Sequence, residues 1–279
     1  MPLELDAPLD SAYPLVTPPD PVYPGQTRAP LATPLDEIAT PSIWSVLAHP
    51  FERALEELWS ALGLFARARP TTWVAIHYGR IALNAHAWER LRARAHAAEP
   101  DPGLVEPAHA LPARLADRVE ALRARLRGGA LAVRIERAEK AREAFVQRGR
   151  DLDPSELDAG ELARGPLDER AWTEILLPGL GHRLGSSSDA SADPCLRSAI
   201  AIEQSFGHEL GARLVTRRTL AAPSLVAYLT VPERIRAVLD GASHWNELAL
   251  ARHERVEQFA KLDVPSEFWG RPRPEAEKA

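Results

Sequence analysis

Phe51-Glu52-Arg53-Ala54-Leu55-Glu56-Glu57-Leu58-Trp59-Ser60-Ala61-Leu62-Gly63-Leu64-Phe65 carries apolar side chains at 51, 55, 58, 62 and 65. Steps of three and four residues line them along one face of a helix. Pro50 suits the first turn of that helix and Pro70 lies beyond its end. The same period returns at Leu111, Leu115, Val119, Leu122 and Leu126, and again at Leu131, Ile135, Ala138 and Phe145. Gly128-Gly129 between these stripes predicts a break, hence two adjacent helices in an antiparallel pair. A shorter helix is expected over 167–177.

Helix start and stop signals extend the pattern toward the C-terminus. Asp193-Pro194 is an N-cap and first-turn pair ahead of Leu196, Ile200, Phe206, Leu210 and Leu214. Thr230-Val231-Pro232-Glu233 is a capping box, and Gly241 is placed to close that helix. A last long helix starts near Ser243, with Trp245, Leu248, Arg252, Val256 and Phe259 on one face, and stops before Pro265. The predicted fold class is therefore mainly α, a multi-helix domain.

Thr72-Trp73-Val74-Ala75-Ile76-His77-Tyr78 is β-branched and aromatic, and Gly79-Arg80 leads into a second apolar run through Leu83. A small β-hairpin near residues 72–84 is expected there. Trp44, Trp59, Trp73, Trp88, Trp172 and Trp245 sit within apolar stripes and are expected in the core, unlike Trp269 in its proline- and glycine-flanked setting. Residues 1–41 hold ten of the 25 prolines without helical or strand periodicity. The predicted organisation is an extended proline-rich arm over 1–36, one mainly helical domain over 37–270 and a polar, frayed tail over 271–279.

With 279 residues, 45% of them hydrophobic, the chain can bury a substantial core. The net charge of -5 arises from 34 basic and 39 acidic residues interspersed along the chain, which speaks against nucleic acid or an anionic membrane as a partner. Cys195 is the only cysteine, so no internal disulfide can form and a cytoplasmic location is expected. Met1-Pro2-Leu3-Glu4-Leu5-Asp6 shows no leader pattern, and no run of about 18 apolar residues predicts a membrane span. The nine histidines lack the paired helical spacing of a zinc motif, so neither a metal nor a cofactor is predicted.

Pro178-Gly179-Leu180-Gly181-His182-Arg183-Leu184-Gly185-Ser186-Ser187-Ser188 is read as a loop. It lacks the lysine ending of a P-loop and the spacing of a dinucleotide fingerprint. Cys195 follows Asp193-Pro194 at a helix N-terminus, where a thiolate would be stabilised. No Gly-x-Ser-x-Gly elbow occurs. No catalytic residue is assigned.

Three phrases carry a family resemblance. Glu37-Ile38-Ala39-Thr40-Pro41-Ser42-Ile43-Trp44-Ser45-Val46-Leu47 resembles the opening of the central region of phosphoenolpyruvate-synthase-like proteins, rifampicin phosphotransferases among them. Tyr78-Gly79-Arg80-Ile81-Ala82-Leu83-Asn84 is similar to that family's Gly-Arg-aromatic-x-Asn element. Gly211-Ala212-Arg213-Leu214-Val215, with Leu220, Pro223, Tyr228-Leu229-Thr230 and Glu233, looks like the phrase before its swivelling domain, and Arg252, Pro265, Phe268 and Gly270 continue it. Gly181-His182-Arg183 resembles a Gly-His-Arg phrase of the family, with Ser187 where an acidic residue is expected.

In such relatives an ATP-grasp domain phosphorylates a histidine on a mobile domain, which swings to the acceptor site. Neither domain is expected in this chain: its lysines are Lys140, Lys261 and Lys278 alone, and Ser205-Phe206-Gly207-His208 lies in a helical stripe. The resemblance implies a stand-alone recognition or scaffold subunit of a split phosphotransferase, not expected to catalyse phosphotransfer alone. Its implied partners are an ATP-grasp protein and a phosphohistidine-domain protein, with a small-molecule ligand. Trp44, Tyr78, Arg80, Asn84, His182 and Arg183 are the substrate-binding candidates it implies. An independent small-molecule-binding protein and an enzyme of altered chemistry around His182, Arg183 and Cys195 remain as alternatives.

Overall fold

The apolar stripe through Phe51 and Leu58 extends further upstream than Pro50. Ile43, Val46 and Leu47 continue its period, and the helix α1 spans Pro41–Ala61 in the computed structural model. Thr40 is its extended N-cap and Pro41 its first residue. Pro50 lies inside the helix rather than at its start; it lacks an N–H to donate, but its ring is buried on the same stripe as Phe51 and Leu58. The structure describes residues 20–28, 39–64, 70, 72–96, 111–185, 193–270, 272 and 275–276. Residues 1–19 and 29–36 of the expected arm lie outside these, as do Phe65 and Ser186–Ser188.

The hairpin forms where it was expected. Strands β2 (Val74–His77) and β3 (Arg80–Asn84) pair antiparallel across Tyr78-Gly79. Both turn residues have positive φ, 50° at Tyr78 and 75° at Gly79, which suits the right-handed twist of a two-residue hairpin. Within the expected extended arm, Gly25–Arg28 forms strand β1, paired with β3. Asp20 ties that segment down: its carboxylate accepts from the N–H groups of Val22, Tyr23 and Thr72.

Helix α2 (Ala85–His96) follows β3 directly, and α3 (Leu111–Asp151) runs for 41 residues through Gly128-Gly129 without a turn. The expected antiparallel pair is thus one helix. Two glycines cost roughly 1 kcal/mol each against alanine in a helix interior. Good helix formers on both sides and the burial of Leu131, Ala138 and Val146 offset that. Helix α4 (Ala159–Arg164) leads to α5 (Glu169–Gly185), which passes straight through Pro178, Gly179 and Gly181. The glycine-rich stretch is therefore helical as far as Gly185. Gly181 serves packing: an added methyl would come within 2.5 Å of Ile135 Cδ1 on α3.

The remaining helices begin as their caps predict. They are α6 (Pro194–Thr216), α7 (Val231–Asp240) and α8 (His244–Ala260). Asp193 accepts from the N–H groups of Cys195 and Leu196, and Gly241 closes α7 in the left-handed conformation. After α8 come β4 (Leu262–Asp263), β5 (Glu267–Trp269) and β6 (Glu275–Ala276). β5 pairs with β1, completing a sheet of order β2-β3-β1-β5. β6 pairs with β4, so part of the expected frayed tail returns to the domain.

Helix α1 packs on α5, α5 on α3, and α6 on the 3-10 turn Pro223–Tyr228. The core runs through Leu47, Phe51, Leu58, Trp172, Leu176, Leu180 and Leu210. Five of the six tryptophans expected there are buried, Trp44 is half-buried, and Trp269 is 78% exposed. Among the described residues no helix is long and apolar enough to cross a membrane.

Gly211 marks the tightest approach in this core. A methyl added there would meet the backbone of Pro223, 2.8 Å from its carbonyl carbon and 2.9 Å from its Cα. Gly211→Ala is therefore expected to destabilise by about 2 kcal/mol, the overpacking cost exceeding alanine's better helix propensity. Urea unfolding of the variant checks this, and a variant as stable as the parent would refute it.

Candidate functional site

The alternation of side chains along the strands sorts the sheet into two faces. Val74, Ile76, Ile81 and Leu83 share one face through the cross-strand pairs Val74↔Leu83 and Ile76↔Ile81, and all four are buried in apolar clusters. Ala75, His77, Arg80, Ala82 and Asn84 occupy the other, joined by Gln26 and Phe268 through the pairs Gln26↔Asn84 and Gln26↔Phe268.

Four of the six residues singled out by resemblance gather around the hairpin, mostly in structural roles. Tyr78 is buried with its ring edge-on to Phe259 of α8, centroids 5.7 Å apart, in a cluster that Trp44 of α1 packs against. Its hydroxyl has no hydrogen-bond partner among the described residues. Arg80 donates to the carbonyls of Phe259 at 3.2 Å and Leu262 at 2.7 Å, so its guanidinium holds the end of α8 rather than facing open space. Asn84 donates to the Tyr23 carbonyl at 2.9 Å and accepts from the Ala87 N–H at 3.1 Å, capping α2.

His182 and Arg183 belong elsewhere, on the last turn of α5. His182 is exposed and lies 2.7 Å from Glu139 of α3. Arg183 is half-buried. Glu57, Glu174 and Arg134 link α1, α5 and α3 nearby, with Arg134 donating to both carboxylates and bordering a cavity of about 390 Å³. That network binds helices together by paired charges.

Cys195 does not gain from its helix N-terminus. Asp193 already occupies the first N–H groups of α6, and burial pushes the thiol up to about 11. At neutral pH it is a protonated, half-buried thiol beside a cavity of about 530 Å³ between α3 and α6, which disfavours the expected thiolate. Among the described residues no group of three or more His, Cys, Asp and Glu side chains is placed to hold a metal ion.

The chemically unusual residues are two that sequence reasoning missed. Gln26 and His77 are each 1% exposed, and none of their four polar side-chain atoms has a hydrogen-bond partner among the described residues. His77 lies edge-to-face with Phe268, ring centroids 4.8 Å apart, and Phe268 stands directly across from Gln26. Burial pushes the imidazole down to about 4, so His77 is uncharged at neutral pH, with one ring nitrogen a donor and the other an acceptor. A lone histidine closing the apolar run Val74-Ala75-Ile76 was the available signal for His77. Gln26 had none, because its segment shows no periodicity.

The three resemblance phrases, by contrast, meet in space. The Ala39 N–H donates to the Gly79 carbonyl at 2.7 Å, joining the first phrase to the second. The Val231 N–H donates to Ser45 Oγ at 3.0 Å, joining the first to the third. Arg252 of α8 donates to both oxygens of Glu233, at 2.6 and 2.9 Å, and to the Tyr228 carbonyl at 3.1 Å. Comparison with protein-family models, with curated proteins and with solved structures finds no match for this chain.

Proposed function

We propose that this chain is a stand-alone counterpart of the central recognition region of a phosphoenolpyruvate-synthase-like phosphotransferase, acting as a non-catalytic subunit of a divided enzyme. The observation that supports it is the convergence of the three phrases. Residues separated by up to 186 positions, such as Ser45 and Val231, join through backbone and side-chain hydrogen bonds around one hairpin and the end of α8. Phrases retained for one structural unit are expected to be bonded to one another in this way.

On this reading the chain supplies shape and ligand contacts, and separate proteins with an ATP-grasp fold and a phosphohistidine domain supply the phosphate. Spread negative charge in phosphoryl transfer needs lysines and metal-bound carboxylates that such partners carry. Co-expressing the chain with ATP-grasp and histidine-domain proteins from the same genome is expected to yield a complex that phosphorylates a small acceptor. The chain alone should show no transfer. Failure of the three to co-purify or to act together would remove the proposal.

A second reading, an independent small-molecule-binding protein, is favoured by the unpaired buried groups of Gln26 and His77. Ligand binding to the purified chain without any partner distinguishes it.

A further inference from the structure

Helices α3 and α6 run side by side between two ties. Arg142 of α3 donates to Asp193 at 2.6 Å, and Arg150, two turns further on, donates to Ser198 Oγ at 2.7 Å. The cavity of about 530 Å³ beside Cys195 lies along this stretch. Ala144 and Val146 of α3 with Pro194 and Cys195 of α6 give it an apolar wall. Two of its lining residues are charged, Glu143 and Arg150, and their signs are opposite. They stand seven positions apart on one helix, hence on the same side of it and about 10 Å apart along its axis.

Elsewhere on α3 opposite charges are matched within the protein: Arg134 with Glu57 and Glu174, Arg142 with Asp193, and Glu139 with His182. Glu143 and Arg150 are the exception at this cavity. Neither forms an ion pair among the described residues, and the hydrogen bond of Arg150 goes to a neutral hydroxyl. A guanidinium has five N–H groups, so most of its donors remain for a ligand.

We propose that this cavity binds a small zwitterion whose ammonium and carboxylate are separated by an apolar chain, as in an ω-amino acid. Arg150 and the Ser198 hydroxyl receive the carboxylate, Glu143 receives the ammonium, and the methylenes between lie over Ala144, Val146 and Cys195. A simple fatty acid or amine leaves one end of the cavity unanswered. An α-amino acid carries its two charges on neighbouring carbons and cannot reach both. The site lies away from the hairpin and needs no phosphotransferase partner, so it stands or falls separately from the divided-enzyme reading.

The test uses the purified full chain, labelled with ¹⁵N, and four probes: 6-aminohexanoate, hexanoate, hexylamine and glycine. At millimolar concentration and low salt, 6-aminohexanoate is expected to shift the backbone amide signals of Gln147, Cys195 and Ser198 saturably. Hexanoate and hexylamine, each lacking one exposed ion pair, should bind about three- to fivefold more weakly, and glycine more weakly still. Raising the salt to about 1 M should narrow that difference. In Glu143→Gln the preference over hexanoate should vanish, and in Arg150→Gln the preference over hexylamine. Both side chains are exposed, so both variants are expected to fold. The comparison among probes on the unaltered chain holds even if one does not. Absence of saturable shifts at these three signals with 6-aminohexanoate would overturn the proposal, as would equal affinity of the unaltered chain for hexanoate or hexylamine.

Discussion

Arg234→Met is expected to cost the protein about 3–5 kcal/mol, and with it roughly 10 °C of thermal midpoint. Arg234 of α7 is fully buried, and its Nη2 donates at 2.8 Å to Glu203 of α6, itself 1% exposed. Removing the arginine strands a carboxylate in the interior. Gly165 packs closely against it: a methyl added there would come within 2.5 Å of Glu203 Oε2. The pair nevertheless earns little on its own account. Arg234 Nε and Nη1 and Glu203 Oε2 have no partners among the described residues, so both ions lose hydration for a single hydrogen bond. The double variant Glu203→Leu with Arg234→Met is therefore expected to equal or exceed the parent in stability. Denaturant unfolding of the two single variants and the double variant forms a complete cycle. An Arg234→Met change below about 1 kcal/mol would contradict the buried-charge account.

Glu233→Ala is expected to have an effect of similar size for a different reason. Its carboxylate serves three donors at once: the N–H and hydroxyl of Thr230 at the start of α7, and the Arg252 guanidinium of α8. Arg252 is 3% exposed, so the variant leaves a buried cation without its carboxylate and removes the cap, about 3–5 kcal/mol for the first and near 1 kcal/mol for the second. The pH dependence follows from the same contacts. Burial on its own raises the Glu233 carboxyl, but the bonds from Arg252 and Thr230 outweigh it and hold the group below the usual glutamate range. The unfolded chain therefore binds this proton more readily than the native one. Stability from Glu233 is complete above about pH 4.5 and is lost as the pH falls through the lower native value. Glu233→Gln should be less stable at neutral pH and show a flatter acid limb in unfolding titrations. An unchanged acid limb would rule out this assignment.

Much of this arrangement is legible in short stretches of sequence. Helix starts at Pro194 and Val231, the left-handed stop at Gly241 and the two-residue turn at Tyr78-Gly79 all follow from residues within a few positions of one another. Glycine-rich stretches misled for the complementary reason. At Gly128-Gly129 and at Gly179 to Gly185 the local preference is for a break, yet packing of Leu131, Leu177, Leu180 and Leu184 outweighs about 1 kcal/mol per glycine. Gly181 lies in a stretch whose composition predicts a loop, and it instead makes room for Ile135.

The candidate site was less legible. The family resemblance implies Tyr78, Arg80 and Asn84 as ligand contacts, but whether a guanidinium or an amide faces a ligand or the protein itself depends on which carbonyls arrive beside it. Those of Phe259, Leu262 and Tyr23 come from segments 179, 182 and 61 residues away. The exposed His182, marked by its place in a glycine-rich phrase, pairs with Glu139, while the buried His77 carried almost no mark.

The sequence by itself determined the mainly helical class, the caps, the hairpin and five of the six tryptophans expected in the core, because apolar period and capping chemistry act over one or two turns of chain. Tertiary structure alone decided that Gly25–Arg28 and Glu267–Trp269 join that hairpin in one sheet, that α3 is unbroken, and that Gln26 and His77 end up dry and unpaired. Strand partners some 240 positions apart and the covering of a polar side chain depend on the free energy of whole surfaces coming together, which no local stretch of residues contains.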